Sequence, residues 1–135
     1  MRGTVVVGYI PTPEGIAAFV RAKGEAALLG SRLVVVNTGQ SGDFTTPSFA
    51  TAQDLDAIRA ELEQTGLDHE VVQATGVLAP AEEILRVASA EDAALIVIGM
   101  RRRSPVGKLF LGSTSQQILL DAHCAVLAVK AAKAA

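Results

Sequence analysis

The sequence of 135 residues has one cysteine, little charge, no excess of positive charge, and no apolar run near the roughly 20 residues that cross a bilayer. Each shortage removes a class of protein. A lone thiol makes no internal disulfide, and Cys124, between His123 and the apolar run 125–129, reads as a small buried side chain. No membrane span is expected. The net charge of −2 and pI near 5.6 give nucleic acid no overall attraction, so the arginines at 101–103 have to be read locally. Met1-Arg2-Gly3-Thr4 passes straight into Val5-Val6-Val7, without the h-region and cleavage site of a secretory signal, and a cytoplasmic location is expected. With half of its residues hydrophobic and only 19% charged, the chain is expected to fold, as one domain over 1–135.

Several motifs are also missing. A P-loop needs G-x-x-x-x-G-K-[ST], but Gly107-Lys108 is followed by Leu109 and the first glycine's place holds Arg102. The dinucleotide fingerprint G-x-G-x-x-G does not follow the first apolar run. The acidic positions of a phospho-accepting receiver domain are occupied by Tyr9-Ile10 and Ala74-Thr75. No Ser-His-Asp, Cys-His or metal-ligand cluster assembles. His123 fits a helix C-terminus better than catalysis, His69 has no obvious partner, and Glu82 and Glu83 read as a solvent face.

What is present is an alternation of strands and helices. TVVVGYI (4–10), RLVVVNT (32–38), HEVVQA (69–74), ALIVIGM (94–100) and AVLAVK (125–130) read as strands. All but the third are nearly continuously apolar, as strands buried on both faces should be, and the third reads as an edge. Helical spacing covers about 13–29, 51–65, 79–90 and 114–122, with Gly30 and Gly66 as stops. This order predicts an α/β fold: an open five-stranded parallel sheet with right-handed crossovers and helices on both faces. The Gly-, Ser- and Pro-rich stretch 39–50 reads as a long functional or mobile connection, and 131–135 as a frayed tail.

In such a sheet, ligands bind beyond the carboxyl ends of the strands, which singles out YIPTPEG (9–15) and GMRRRSPVGKLFLGSTS (99–115). Gly112-Ser113-Thr114-Ser115 precedes the fourth helix, and Ser113 with Gln116, or Thr114 with Gln117, has capping-box spacing. The same atoms suit an anion site, with free N–H groups and the helix dipole supplemented by hydroxyls. Tyr9 suits either core packing or stacking on a base.

The spacing Gly99, Arg102, Gly112-Ser113 resembles the G-x-x-G-x9-G-[ST] pattern of nucleotide-binding members of the universal stress protein family, with arginine at the second glycine. PAEEIL (80–85), EDAALIVIG (91–99) and LLDAHCAVLAVK (119–130) are similar to the family's third helix, fourth strand and chain end, so the resemblance runs along nearly the whole chain. It implies strand order 3-2-1-4-5 in a Rossmann-like sheet of the adenine nucleotide alpha hydrolase type. It also implies a homodimer, paired here through the fifth-strand edge from Ala125 to Lys130, and ATP, or else AMP or ADP, held between the first loop and the Gly-rich loop, with Mg²⁺ able to accompany the nucleotide. Carried over residue by residue, Gly99, Gly112, Ser113, Thr114 and Ser115 contact phosphates and ribose, while Arg101 and Arg102 lie in the loop over them.

The chain departs from the pattern at two places. Ile10, followed by Pro11, stands where the ATP-binding pattern has an aspartate that orients the adenosine. Arg102 either diverts the loop, because a β-carbon opposes positive φ, or binds phosphate bidentately, with Arg101 to Arg103 and Lys108 compensating electrostatically for the lost backbone contacts. No phosphate contact is assigned to Arg103. The leading expectation is a dimeric, nucleotide-binding stress-response module. The alternative is a dimeric interaction scaffold without nucleotide. Slow ATP hydrolysis ranks last, for want of a general base or paired Mg²⁺ carboxylates.

Overall fold

The computed structural model describes residues 3–38, 50–74, 77–103 and 108–131, with 102, 103 and 108–110 through their backbone alone. In chain order the elements are β1 (Thr4–Tyr9), α1 (Pro13–Leu29), β2 (Arg32–Asn37), α2 (Ala52–Thr65), β3 (His69–Gln73), α3 (Pro80–Ala90), β4 (Ala93–Arg103), β5 (Lys108–Phe110), α4 (Ser113–Asp121) and β6 (Ala125–Lys130). Strands β3, β2, β1, β4 and β6 pair in that order, all parallel. This is the expected 3-2-1-4-5 sheet, with β6 as its fifth parallel strand and β3 at an edge.

Side-chain alternation explains why the central runs are continuously apolar. Val5, Val7, Leu33, Val35 and Val97 face one core with Phe19 and Ala22 of α1 and Leu55 and Leu62 of α2. Val6, Val34, Val36, Ile96 and Ile98 face the other, with Ile84 and Val87 of α3 and Ile118 of α4. Helix ends follow local chemistry. Thr12 caps α1 by accepting from the Gly15 N–H at 3.1 Å, and Thr51 and Asp54 form a reciprocal capping box on α2. Gly30 (φ 64°) and Gly66 (φ 75°) close α1 and α2 in the left-handed conformation that glycine adopts at least cost. No helix among the described residues is long and apolar enough to cross a membrane.

The structure corrects four local expectations. β4 does not end at Met100 but continues to Arg103, pairing antiparallel with β5: Arg101 opposite Phe110, Arg102 opposite Leu109, Arg103 opposite Lys108. The turn formers Ser104, Pro105 and Gly107 are confined to the connection between these arms, so only the connection carries a loop signal. α4 starts at Ser113 with Gly112 as its N-cap and no side-chain cap, so neither expected capping box forms; Gln116 instead donates to the Leu111 carbonyl at 3.3 Å. Glu83 is buried, not on the solvent face, and Arg86 one turn later donates to its carboxylate at 3.1 Å; Glu82 is exposed. His69 has a partner, its Nδ1 lying 2.8 Å from the Leu67 carbonyl. Residues 39–49 and 132–135 lie outside the described residues.

Candidate functional site

A cleft of about 760 Å³ opens at the carboxyl ends of β1 and β4. Two glycines shape it. Neither has a positive φ; both are needed because backbone passes directly over them. A β-carbon on Gly15 would overlap the Ile10 carbonyl, and one on Gly99 would overlap the Glu14 carbonyl. The first turn of α1 is therefore pressed onto the end of β4, bringing Ile10 and Glu14 to the floor of the cleft beside Gly99. The N-terminus of α4 (Gly112 to Ser115) forms one flank and the first turn of α3 (Ala79 to Ala81) another.

On the β2 side the cleft is lined by Thr38, and the residue before it anchors a network of amides. Buried Asn37 donates to the Tyr9 carbonyl at 2.9 Å and accepts from the Ala50 N–H and from Gln73 Nε2, each at 3.0 Å. Gln73 Nε2 also reaches the Ala50 carbonyl at 2.8 Å. The ends of β1, β2 and β3 are thereby locked to the residue leading into α2, which holds Thr38 of the cleft in place. Tyr9 packs edge-on to Phe19 with centroids 6.1 Å apart, so it belongs to the core rather than to a stacking platform. Burial, with the negative charge of Asp54 adding to it, raises the Tyr9 hydroxyl above its ordinary pKa.

The electrostatics are divided. α4 presents its first N–H groups without intrahelical acceptors and without a side-chain cap, next to the hydroxyls of Ser113, Thr114 and Ser115, a donor-rich end suited to an anion. Arg101 adds positive charge, and opposite it stands Glu14, its Oε2 at 3.7 Å from the Arg101 Nε. Among the described residues, no group of three or more His, Cys, Asp and Glu side chains is placed to hold a metal ion.

The model of the universal stress protein family matches residues 1–130. The chain belongs to the universal stress protein family. A universal stress protein of Mycolicibacterium smegmatis is 40% identical over 126 residues, covering 93% of this chain and 96% of that one. Among solved structures, a universal stress protein from Archaeoglobus fulgidus superposes with a TM-score of 0.77 at 27% identity, covering 96% of this chain and 99% of that one. Another from Archaeoglobus fulgidus, in complex with dAMP, shares the fold with a TM-score of 0.64 at 20% identity, covering 96% of this chain and 98% of that one.

In this stress-protein chain, six of the residues singled out from the sequence meet in the cleft: Gly99, Arg101, Gly112, Ser113, Thr114 and Ser115. Arg102 is placed through its backbone alone, in β4 opposite Leu109. Sequence reasoning did not single out Glu14 or Thr38 as cleft residues; the signal for Glu14 was its place in the PEG triplet of the first loop. His123, expected to cap α4, is exposed, and its ring makes no hydrogen bond among the described residues. Cys124 is half-buried against the α3–α4 core, and that burial raises its thiol above the ordinary pKa.

Proposed function

We propose that this universal stress protein domain binds ATP, or another adenine nucleotide, in the cleft after β1 and β4 and acts as a dimeric stress-response module in the cytoplasm. One observation carries the reading: residues distant in sequence, Gly99 and Arg101 on β4 and Gly112 to Ser115 at the start of α4, converge on one cleft with an uncapped helix N-terminus. In this reading the α4 N–H groups and hydroxyls hold the phosphates, Arg101 and Arg102 neutralise them, and Mg²⁺, when present, enters with the nucleotide. The dAMP complex of the Archaeoglobus fulgidus relative supports adenine nucleotides as the ligand class.

The test is direct: denature the purified protein, analyse the supernatant for nucleotide, then titrate the apo form with ATP. Bound nucleotide or saturable binding is expected; neither, up to millimolar ATP, overturns the reading. Dimerisation through β6 is supported by its outer edge, which pairs with no strand among the described residues, and by exposed Ile16 and Val20 on α1, the helix packed against it. Light scattering of the wild type and of Val126→Lys should show a dimer turned monomer.

The second reading, a scaffold without nucleotide, draws on the apolar side chain of Ile10 in the cleft and on Arg102 in place of glycine. The double variant Ile10→Asp, Arg102→Gly separates the two. Newly gained ATP binding favours a lost site, and weakened binding favours Arg102 as a ligand.

A further inference from the structure

One charged side chain in the cleft has no part in holding phosphate. The Glu14 side chain is 14% exposed and lines the cleft, yet no donor among the described residues hydrogen-bonds its carboxylate. Its charged neighbour, Arg101, is 69% exposed and stands beyond hydrogen-bonding distance at 3.7 Å. An ionised carboxylate only accepts hydrogen bonds, and enclosing one without donors is unfavourable unless the ligand supplies them. The backbone that carries it is closely packed, because the Glu14 carbonyl rests on Gly99 and Gly15 lies beneath the Ile10 carbonyl.

Its lateral position suggests which donors these are. Along the carboxyl edge of the sheet, Thr38 follows β2, Glu14 follows β1, and Gly99, Arg101 and the start of α4 lie on the β4 side. A nucleotide with phosphates on α4 and its base toward Thr38 brings its sugar, the part carrying vicinal hydroxyl donors, to the middle of this row. We propose that Glu14 accepts the ribose hydroxyls of the bound nucleotide and makes the cleft selective for ribonucleotides over deoxyribonucleotides and free polyphosphate. The proposal rests on the nucleotide reading of the same cleft. The carboxylate contributes twice: its two oxygens match a diol, and its charge opposes any ligand that puts phosphate in the sugar position.

The test compares ATP, 2′-deoxyATP, 3′-deoxyATP and inorganic tripolyphosphate by calorimetry on the wild type and on Glu14→Gln, with thermal melts to verify folding. Wild type should prefer ATP to either deoxynucleotide by about tenfold, the scale of a hydrogen bond to a charged group. Glu14→Gln should lose about tenfold in ATP affinity, lose that preference, and bind tripolyphosphate no more weakly. Equal wild-type affinity for ATP and both deoxynucleotides overturns the proposal without needing a variant. ATP binding unchanged in Glu14→Gln overturns it too, and tightening of ATP and tripolyphosphate together shows that Glu14 only neutralises Arg101. If the wild type binds no ATP at all, the nucleotide reading falls and this proposal with it, whereas the preceding outcomes leave that reading intact.

Discussion

The two ends of the sheet use the same residue types for opposite purposes. At the amino end, Arg32 of β2 is saturated: its guanidinium donates to Asp68 at 2.9 Å, to Glu70 at 2.5 Å and to Glu91 at 3.2 Å. Burial works against that charge, but the bonds and attraction from Glu91 and Asp68 outweigh it and raise the pKa. At the carboxyl end, Arg101 has one carboxylate, at 3.7 Å, and no hydrogen bond to it. The glycines differ in the same way. Gly30 and Gly66, which lead into β2 and β3, have positive φ and open space around the missing β-carbon. Gly15 and Gly99 have ordinary φ and no space. At one end the arginine is saturated by carboxylates; at the other, close backbone packing sets Glu14 beside an Arg101 that makes no hydrogen bond to it.

The largest effect should come from filling the tight end. Gly99→Ala places a methyl into the Glu14 carbonyl, which belongs to a helix start and has little freedom to yield. Urea denaturation should show a loss of about 3 kcal/mol, and ATP binding should weaken because Glu14 moves. Gly30→Ala tests the contrast: it meets no atoms, only the left-handed penalty, and should cost about 1 kcal/mol with ATP binding unchanged. Equal losses in the two variants would erase the distinction between steric and torsional glycines.

Charge removal comes next. Arg32→Leu leaves Asp68, Glu70 and Glu91 facing one another and should destabilise by about 1–2 kcal/mol, since all three carboxylates are partly solvated. Added salt should narrow that difference by screening the repulsion. Arg101→Gln breaks a long, exposed pair and should change stability by less than about 0.5 kcal/mol while weakening ATP severalfold. A stability loss for Arg101→Gln as large as that for Arg32→Leu would mean that both arginines serve the fold.

The legible half of the molecule is the half set by local chemistry. Valine-rich runs marked β1, β2 and β4 because both faces of those strands are buried, and Gly30 and Gly66 marked helix ends because left-handed caps select glycine. Gly112-Ser113 marked the start of α4 for another reason, since Gly112 has an ordinary φ of −67° and caps the helix without a side-chain bond. Glu14, Thr38 and Glu83 were not, because their roles depend on where one element crosses another. Glu14 faces the cleft only because Gly99 lets α1 settle on β4. Glu83 is tolerated in a buried position by Arg86 one turn later, a pairing that equally describes a solvent-exposed helix face. The β4–β5 hairpin escaped notice because Arg101 to Arg103 carry neither strand periodicity nor apolar character.

The smallest effect concerns pH and again sets one end against the other. Tyr9 ends β1 at the carboxyl edge, and Cys124 immediately precedes β6 at the amino edge; burial raises the pKa of both above the values they have in an unfolded chain. A raised folded pKa means that the unfolded state releases its proton first on alkalinisation. The contribution is therefore fully present below the unfolded pKa values and is lost as pH rises through the folded ones. Stability measured by thermal melts should be flat near neutrality and fall above about pH 9, where an unfolded thiol is already ionised. Cys124→Ser should remove the earlier part of this fall and leave the later, tyrosine part. An identical alkaline profile in Cys124→Ser would mean that the thiol titrates as freely in the folded chain as in the unfolded one, and that only the carboxyl edge of the sheet shelters its titratable group.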